Sequence, residues 1–199
     1  MMEGDWLGFF SGEGVLDFSD EGYGRLEKQS GHSVIFFLKH LPKGSTLLEA
    51  CCGPGCTAIP LSHYYDVTGF DLDPKVLEHA KCNAGKFGGN IRFVAADYGD
   101  MLDVFGPDSF DACSSSGVMD YLDEKSIRRL IELQLQVAPL AFVSVFPGKT
   151  ASGKEYGFKP NSFTEDDWTG RILAGSNVLD HQVIIHDNDL TELIIALGR

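Results

Sequence analysis

Short apolar runs alternate along the chain with longer stretches whose apolar residues recur at helical spacing. Residues 46–51, 66–70, 91–95, 110–114 and 140–146 read as buried strands. The last is apolar almost throughout, as a parallel strand covered on both faces would be. Between them lie helical patterns. Residues 23–41 place Val34, Ile35 and Leu38 on one side and stop at Pro42-Lys43-Gly44. A helix over 56–65 follows the first strand. Asp73-Pro74 supplies a cap and a first-position proline for a helix running to about 86, before Gly88-Gly89. Residues 123–137 carry Ile127, Leu130, Ile131 and Leu135 on an inner stripe. Strand and helix repeated in this order predict a doubly wound α/β domain with a parallel sheet. The tail differs. After a loop over 148–159, residues 163–173 read as helix, and 181–185 and 192–197 as two strands joined across Asp187-Asn188-Asp189, an antiparallel hairpin. Residues 1–22 set Trp6, Phe9, Phe10 and Phe18 between glycines, too aromatic for a disordered tail and too broken for a helix. They are expected to form an arm or flap on a single domain spanning 23–199.

Composition narrows the function. With 199 residues, 43% of them hydrophobic, the chain fills one domain with a full core. Its 16 Lys and Arg against 29 Asp and Glu leave a net charge of -13. Nucleic-acid binding depends on basic groups at phosphates, so neither nucleic acid nor an anionic membrane surface is an expected partner. No stretch is apolar enough over the length needed to span a bilayer. The opening residues, Met1-Met2-Glu3-Gly4-Asp5, lack the basic segment of a secretory signal, and a cytoplasmic setting is expected. Cysteines at 51, 52, 56, 82 and 113 form neither an even disulfide framework nor a C-x-x-C metal pair, so no metal is expected.

In a sheet of this kind ligands bind at the carboxyl ends of the strands, where strand order reverses. Four strand ends here are polar or glycine-rich. The first reads Glu49-Ala50-Cys51-Cys52-Gly53-Pro54-Gly55. Gly53 and Gly55 allow a sharp turn and close backbone approach, and the helix start behind them offers free amides. An acid inside an apolar strand is costly unless it meets a cation or a set of donors, and a ligand with an amino group or a positive sulfur would supply that to Glu49. Asp71 closes the second strand about 20 residues on, placed for the two hydroxyls of a ribose. Asp73 already caps the next helix, which leaves Asp71 freer for ligand. Asp97, after the third strand, is either a loop aspartate or an acceptor for an exocyclic amine, with Tyr98 or Leu72 offering an apolar face to a base. Ser114-Ser115-Ser116-Gly117 follows the fourth strand as a plain loop or as room beside a cofactor.

Taken in order, Glu-x-Cys-x-Gly-x-Gly at 49–55, Gly-Phe-Asp-Leu-Asp-Pro at 69–74, Asp97 and Phe110-Asp111 resemble the class I S-adenosylmethionine-dependent methyltransferases over about residues 24–199. That resemblance implies a Rossmann-like seven-stranded sheet, mostly parallel, with an antiparallel C-terminal hairpin. It implies that Glu49 and the turn at Cys51, Gly53 and Gly55 face the methionine part of S-adenosylmethionine. Asp71 would hold the ribose, Leu72 would pack on adenine, Asp97 would bind the adenine amine, and Ser115, Ser116 and Gly117 would border the methionine end and the transferable methyl. Cys51 stands where the family usually carries its first glycine, and the strand's edge is expected to admit a small residue there.

The implied activity is methyl transfer to a small molecule. Asp120 and Tyr121 are candidates near the acceptor, with a helix cap and a packed aromatic as their structural alternatives. No general base stands out. His63, His79, His181 and His186 are read as lying far from the strand ends. Two alternatives share the same glycine turn. An NAD-dependent oxidoreductase would use Asp71 and leave Glu49 without a role, and a non-catalytic relative would keep the fold as a binding protein.

Overall fold

The structure is a computed structural model that describes residues 5–148, 157–158, 160–186 and 190–199. Seven strands form one sheet: β1 (Thr46–Ala50), β2 (Asp66–Asp71), β3 (Arg92–Ala95), β4 (Ala112–Ser116), β5 (Leu140–Val145), β6 (Asn177–Ile185) and β7 (Thr191–Gly198). Their order is β3-β2-β1-β4-β5-β7-β6. Strands β1 to β5 run parallel, and β7 is antiparallel to both β5 and β6. Strand order reverses beside β1, between β2 and β4, which opens a crevice at their carboxyl ends. Because β7 runs the other way, its first residues also lie on that edge.

Strand alternation sorts the side chains into two cores. On one face Leu48, Ala50, Phe70, Val143 and Ile195 pack under Ile127, Leu130 and Leu133 of the amphipathic helix α6 (Glu124–Val137). On the other, Leu47, Val67, Phe142 and Ile194 meet Val34, Phe36 and Phe37 of α2 (Asp20–His40). The Phe37 and Phe142 rings stack at 3.9 Å. Each such fully buried side chain is worth roughly 1.5–3 kcal/mol, so the two faces rather than helix propensity hold the layers. At the opposite edge, Asp111 accepts from the Thr46 amide at 2.8 Å and hydroxyl at 2.9 Å, fixing β1 beside β4.

Several helices depart from the expected bounds. A helix does form in the N-terminal arm: α1 (Trp6–Gly12) is capped by Asp5, which accepts from the Gly8 amide at 2.9 Å. Aromatic packing below it outweighs glycine's cost of about 1 kcal/mol per helical position. The next helix, α2, begins at Asp20 because Ser19 caps it. The five-residue α3 (Ala58–Ser62) is half the expected length, its last turn closing as Leu61 O accepts from both Tyr64 and Tyr65. Helix α4 (Pro74–Phe87) starts after Asp73 as expected, and a short α5 (Met101–Phe105) was not foreseen. Within 163–173 the helix is shorter than expected, an α-helical start at 165–166 running into a widened π turn at Asp167–Ile172. The hairpin turn at 187–189 and most of the 148–159 loop lie outside the described residues. No helix among the described residues is long and apolar enough to cross a membrane.

Candidate active site

The carboxyl end of β1 carries Glu49, an acid that is only 2% exposed. It accepts a hydrogen bond from the Ser114 hydroxyl on the neighbouring strand. Burial pushes its carboxyl from the ordinary 4.5 up to about 7, and the serine bond holds it from going higher. The chain then turns through Cys51, Gly53 and Gly55, all with positive φ, at 55°, 53° and 95°. Cys51 thus takes a left-handed conformation that glycine favours, and the expectation that the strand's edge would spare it this is corrected. Its thiol is held well above the usual range by burial, and further by Asp71 and Asp97.

At Gly53 an added Cβ would come within 2.8 Å of the Phe10 ring, so a side chain there would require that ring to shift. The amide of Gly53 donates to Asp71 Oδ2 at 2.9 Å, while the amide of Asp73 donates to Asp71 Oδ1 at 3.1 Å. Asp71 is therefore less free than its neighbour's capping role implied, because it pins the glycine turn and the start of α4 together. A carboxylate has about four lone-pair positions, so roughly half its accepting capacity still faces the cleft. Burial raises its pKa even so, against the opposing pull of the Asp73 and Gly53 amides. Asp97 follows β3 and accepts from the Gly99 amide at 2.8 Å, holding a turn that presents Tyr98.

Two adjoining cavities lie over these strand ends. The first, about 190 Å³, has Asp71, Leu72, Asp97, Tyr98, Asp120 and Tyr121 around it and Trp6, Phe9 and Phe10 of α1 above. The second, about 200 Å³, runs toward α2 and meets Glu49, Gly53, Ser33 and Glu192. Cys51, Ser116, Gly117, Phe10 and Phe146 border both, so the two are compartments of one cleft. The roof is aromatic: Trp6 lies 4.1 Å from the Phe158 ring and 5.4 Å from Tyr121. Asp120 is buried and accepts from the Phe146 amide at 3.1 Å, so it also ties the loop after β4 to the end of β5.

Ten of the twelve residues singled out by sequence border this cleft, and two do not. Ser115 points to the opposite face of β4, buried, its hydroxyl without a partner among the described residues. Gly55 shapes the turn from below, where an added Cβ would meet Ile59 at 2.9 Å. His186 corrects another expectation. It follows β6 at the carboxyl edge, and its Nε2 lies 2.8 Å from Glu192 Oε2. Among the histidines named with it, His63 meets Tyr23 and His79 meets Asp17, away from the cleft. Glu192, Ser33 and Phe146 escaped the sequence reading. For Glu192 the signal was present, an acid in an otherwise apolar strand, the same feature that drew attention to Glu49.

Comparison with known proteins agrees with this fold. Residues 47–137 match the model of a methyltransferase domain. A methyltransferase structure from Methanosarcina mazei, described as S-adenosylmethionine-dependent, superposes with a TM-score of 0.66 at 20% identity, covering 82% of this chain and 96% of that one. Magnesium protoporphyrin IX methyltransferase from Synechocystis, with bound S-adenosylhomocysteine, gives 0.66 at 19% identity, covering 87% and 83%. TehB from Haemophilus influenzae gives 0.62 at 14% identity, covering 85% and 62%. No curated protein sequence matches the chain significantly. Residues 47–137 thus match a methyltransferase domain, and the chain has the class I, Rossmann-like fold shared with S-adenosylmethionine-dependent methyltransferases.

Proposed function

We propose that the chain methylates a small molecule held in the cleft beneath α1. One observation carries this reading: Glu49, Asp71 and Asp97, from three different strand ends, converge on a single roofed cleft. The donors and acceptors present suit an adenosyl sulfonium. Asp71 keeps lone pairs for two ribose hydroxyls, and Leu72, 43% exposed at the cleft's edge, offers an apolar face to adenine. Asp97 and Tyr98 border the base. Glu49 is buried with no lysine or arginine among the residues lining its compartment, so an ammonium there relieves its desolvation. When bound, the cofactor supplies an electrophilic methyl on a positive sulfur. The residues of this chain then have to orient the acceptor and keep water out, which the aromatic roof does.

A small acceptor follows from the enclosure and from the charge of -13, which disfavours a polyanionic one. Of the arm over 1–22, helix α1 acts as the cover of a single domain over 23–199. All five cysteines are free thiols, which suits a reducing, cytoplasmic setting. Isothermal titration tests the reading: S-adenosylhomocysteine is expected to bind and NADH to give no heat. Binding of NADH alone would favour the oxidoreductase instead, and binding of neither would favour a non-catalytic relative.

A further inference from the structure

The polar residues on the α2 side of the sheet do not stop at Glu49. Glu192, at the start of β7, is 4% exposed and repeats the arrangement three strands away. Its Oε1 accepts from the Ser144 hydroxyl at 2.5 Å and from Ser33 of α2 at 3.3 Å, and His186 holds Oε2. Thus each buried carboxylate is steadied by a serine from the strand beside it, Ser114 for Glu49 and Ser144 for Glu192. Both border the same compartment, whose described lining includes no lysine, arginine or histidine.

Distance decides whether one ligand group can serve both. In the sheet order, β1 and β7 are three strand spacings apart, about 14 Å across. Through the register, Glu49 stands level with Ser114, Phe142 and Ala196, so Glu192 lies four residues nearer the rim. An ammonium spans only about 6 Å between two acceptors, so one bonded to Glu49 leaves Glu192 unserved. With three donors already on Glu192 and about four lone-pair positions available, one position remains.

We propose that Glu192 is the acceptor-recognition carboxylate of this methyltransferase and that the acceptor is a small molecule bearing an amino group. The inference rests on the functional reading above and adds the class of the substrate. Ser144 and His186 are positioning residues, which fix the carboxylate's rotamer, and the aromatic ceiling of Phe10 and Phe146 accommodates the apolar part of the ligand.

The test is equilibrium binding by calorimetry with S-adenosylhomocysteine present, using phenethylamine, phenethyl alcohol and phenylacetate, one aryl chain with three head groups. The wild-type protein is expected to bind the amine at least tenfold more tightly than the alcohol and to reject the carboxylate. Glu192→Gln should reduce the preference for the amine to less than threefold and leave affinity for S-adenosylhomocysteine within twofold. Glu192→Asp retains the charge and should retain the preference, which keeps the test open should the glutamine variant fail to fold. Equal binding of amine and alcohol by the wild-type protein overturns the proposal. So does a glutamine variant that loses cofactor affinity as strongly as amine affinity, since Glu192 would then serve the cofactor. Loss of the functional reading itself shows differently, as a wild-type protein that does not bind S-adenosylhomocysteine.

Discussion

Ser114 and Glu49 are direct partners in the pairing of β4 with β1, and the serine hydroxyl donates to the buried carboxylate. The bond is the main force opposing burial, which has raised the Glu49 carboxyl to about 7. A folded-state pKa above the unfolded one stabilises the fold fully at pH values below about 4.5, and the benefit disappears as pH rises through about 7. From this group alone the unliganded protein should lose about 3 kcal/mol across that window, and Glu49→Gln should remove that slope. Urea unfolding of both proteins at pH 5 and pH 8 measures it. An ammonium beside Glu49 favours the charged form, so cofactor binding should release a proton near pH 6.5 and tighten as pH rises to 7.5. Calorimetry in buffers of different ionisation heat counts that proton. Ser114→Ala should move the dependence upward by about one pH unit or more, since hydrogen bonds to charged groups are worth about 1.5–3 kcal/mol.

Asp71 combines two tasks, and a paired set of variants separates them. Asp71→Ala should weaken affinity for S-adenosylhomocysteine by about 1–3 kcal/mol and also lower stability, because the Gly53 and Asp73 amides lose their acceptor. Asp73→Ala removes only the cap on α4, which accepts from the Lys75 amide at 2.9 Å. It should cost about 1 kcal/mol of stability with cofactor affinity little changed. Equal losses of affinity in the two variants would remove the ribose role from Asp71.

How much of this was legible in the sequence depends on the range of the interaction concerned. The five parallel strands and α4 were readable because apolar runs and the Asp73-Pro74 cap are local signals. Even Asp71 and Glu49 could be placed at strand ends, since an acid beside an apolar run marks the end or the interruption of a strand. The helix α1 was not readable: its glycines argue against it, and what stabilises it is ring contact with Tyr121 and Phe158, more than a hundred positions away. Ser115 was placed in the cleft with Ser116 because three serines in a row look alike until the pleat sends alternate ones to opposite faces. The partnership of Glu192 with Ser144 depends on an antiparallel register that no local pattern reports.

Cys51 tests the glycine turn directly. At an ordinary helical position alanine is more stable than glycine by about 1 kcal/mol. At φ 55° the order should reverse, because a side chain there costs about 1–2 kcal/mol. Cys51→Gly is therefore expected to be at least as stable as Cys51→Ala, and denaturant midpoints compare them. Should alanine prove clearly more stable, the turn relaxes to another conformation in solution.

The roof formed by α1 governs how long a ligand stays beneath it. Trp6 packs on Phe158 and Tyr121 at 4.1 and 5.4 Å, and Phe10 covers Gly53. Aromatic pairs of this kind contribute about 0.5–1.5 kcal/mol each beyond their buried area, so Trp6→Ala removes about 1–3 kcal/mol from the closed arrangement. A cover acts mainly on escape, because the ligand must wait for it to lift, whereas the strand-end contacts beneath it stay intact. Stopped-flow measurement should show S-adenosylhomocysteine leaving Trp6→Ala at least fivefold faster, with the association rate changed less than twofold. In the wild-type protein Trp6 fluorescence should report the same event against the constant signal of Trp168, which is fully buried in the core under α6. An unchanged dissociation rate would make α1 a fixed wall of the cleft and not a cover.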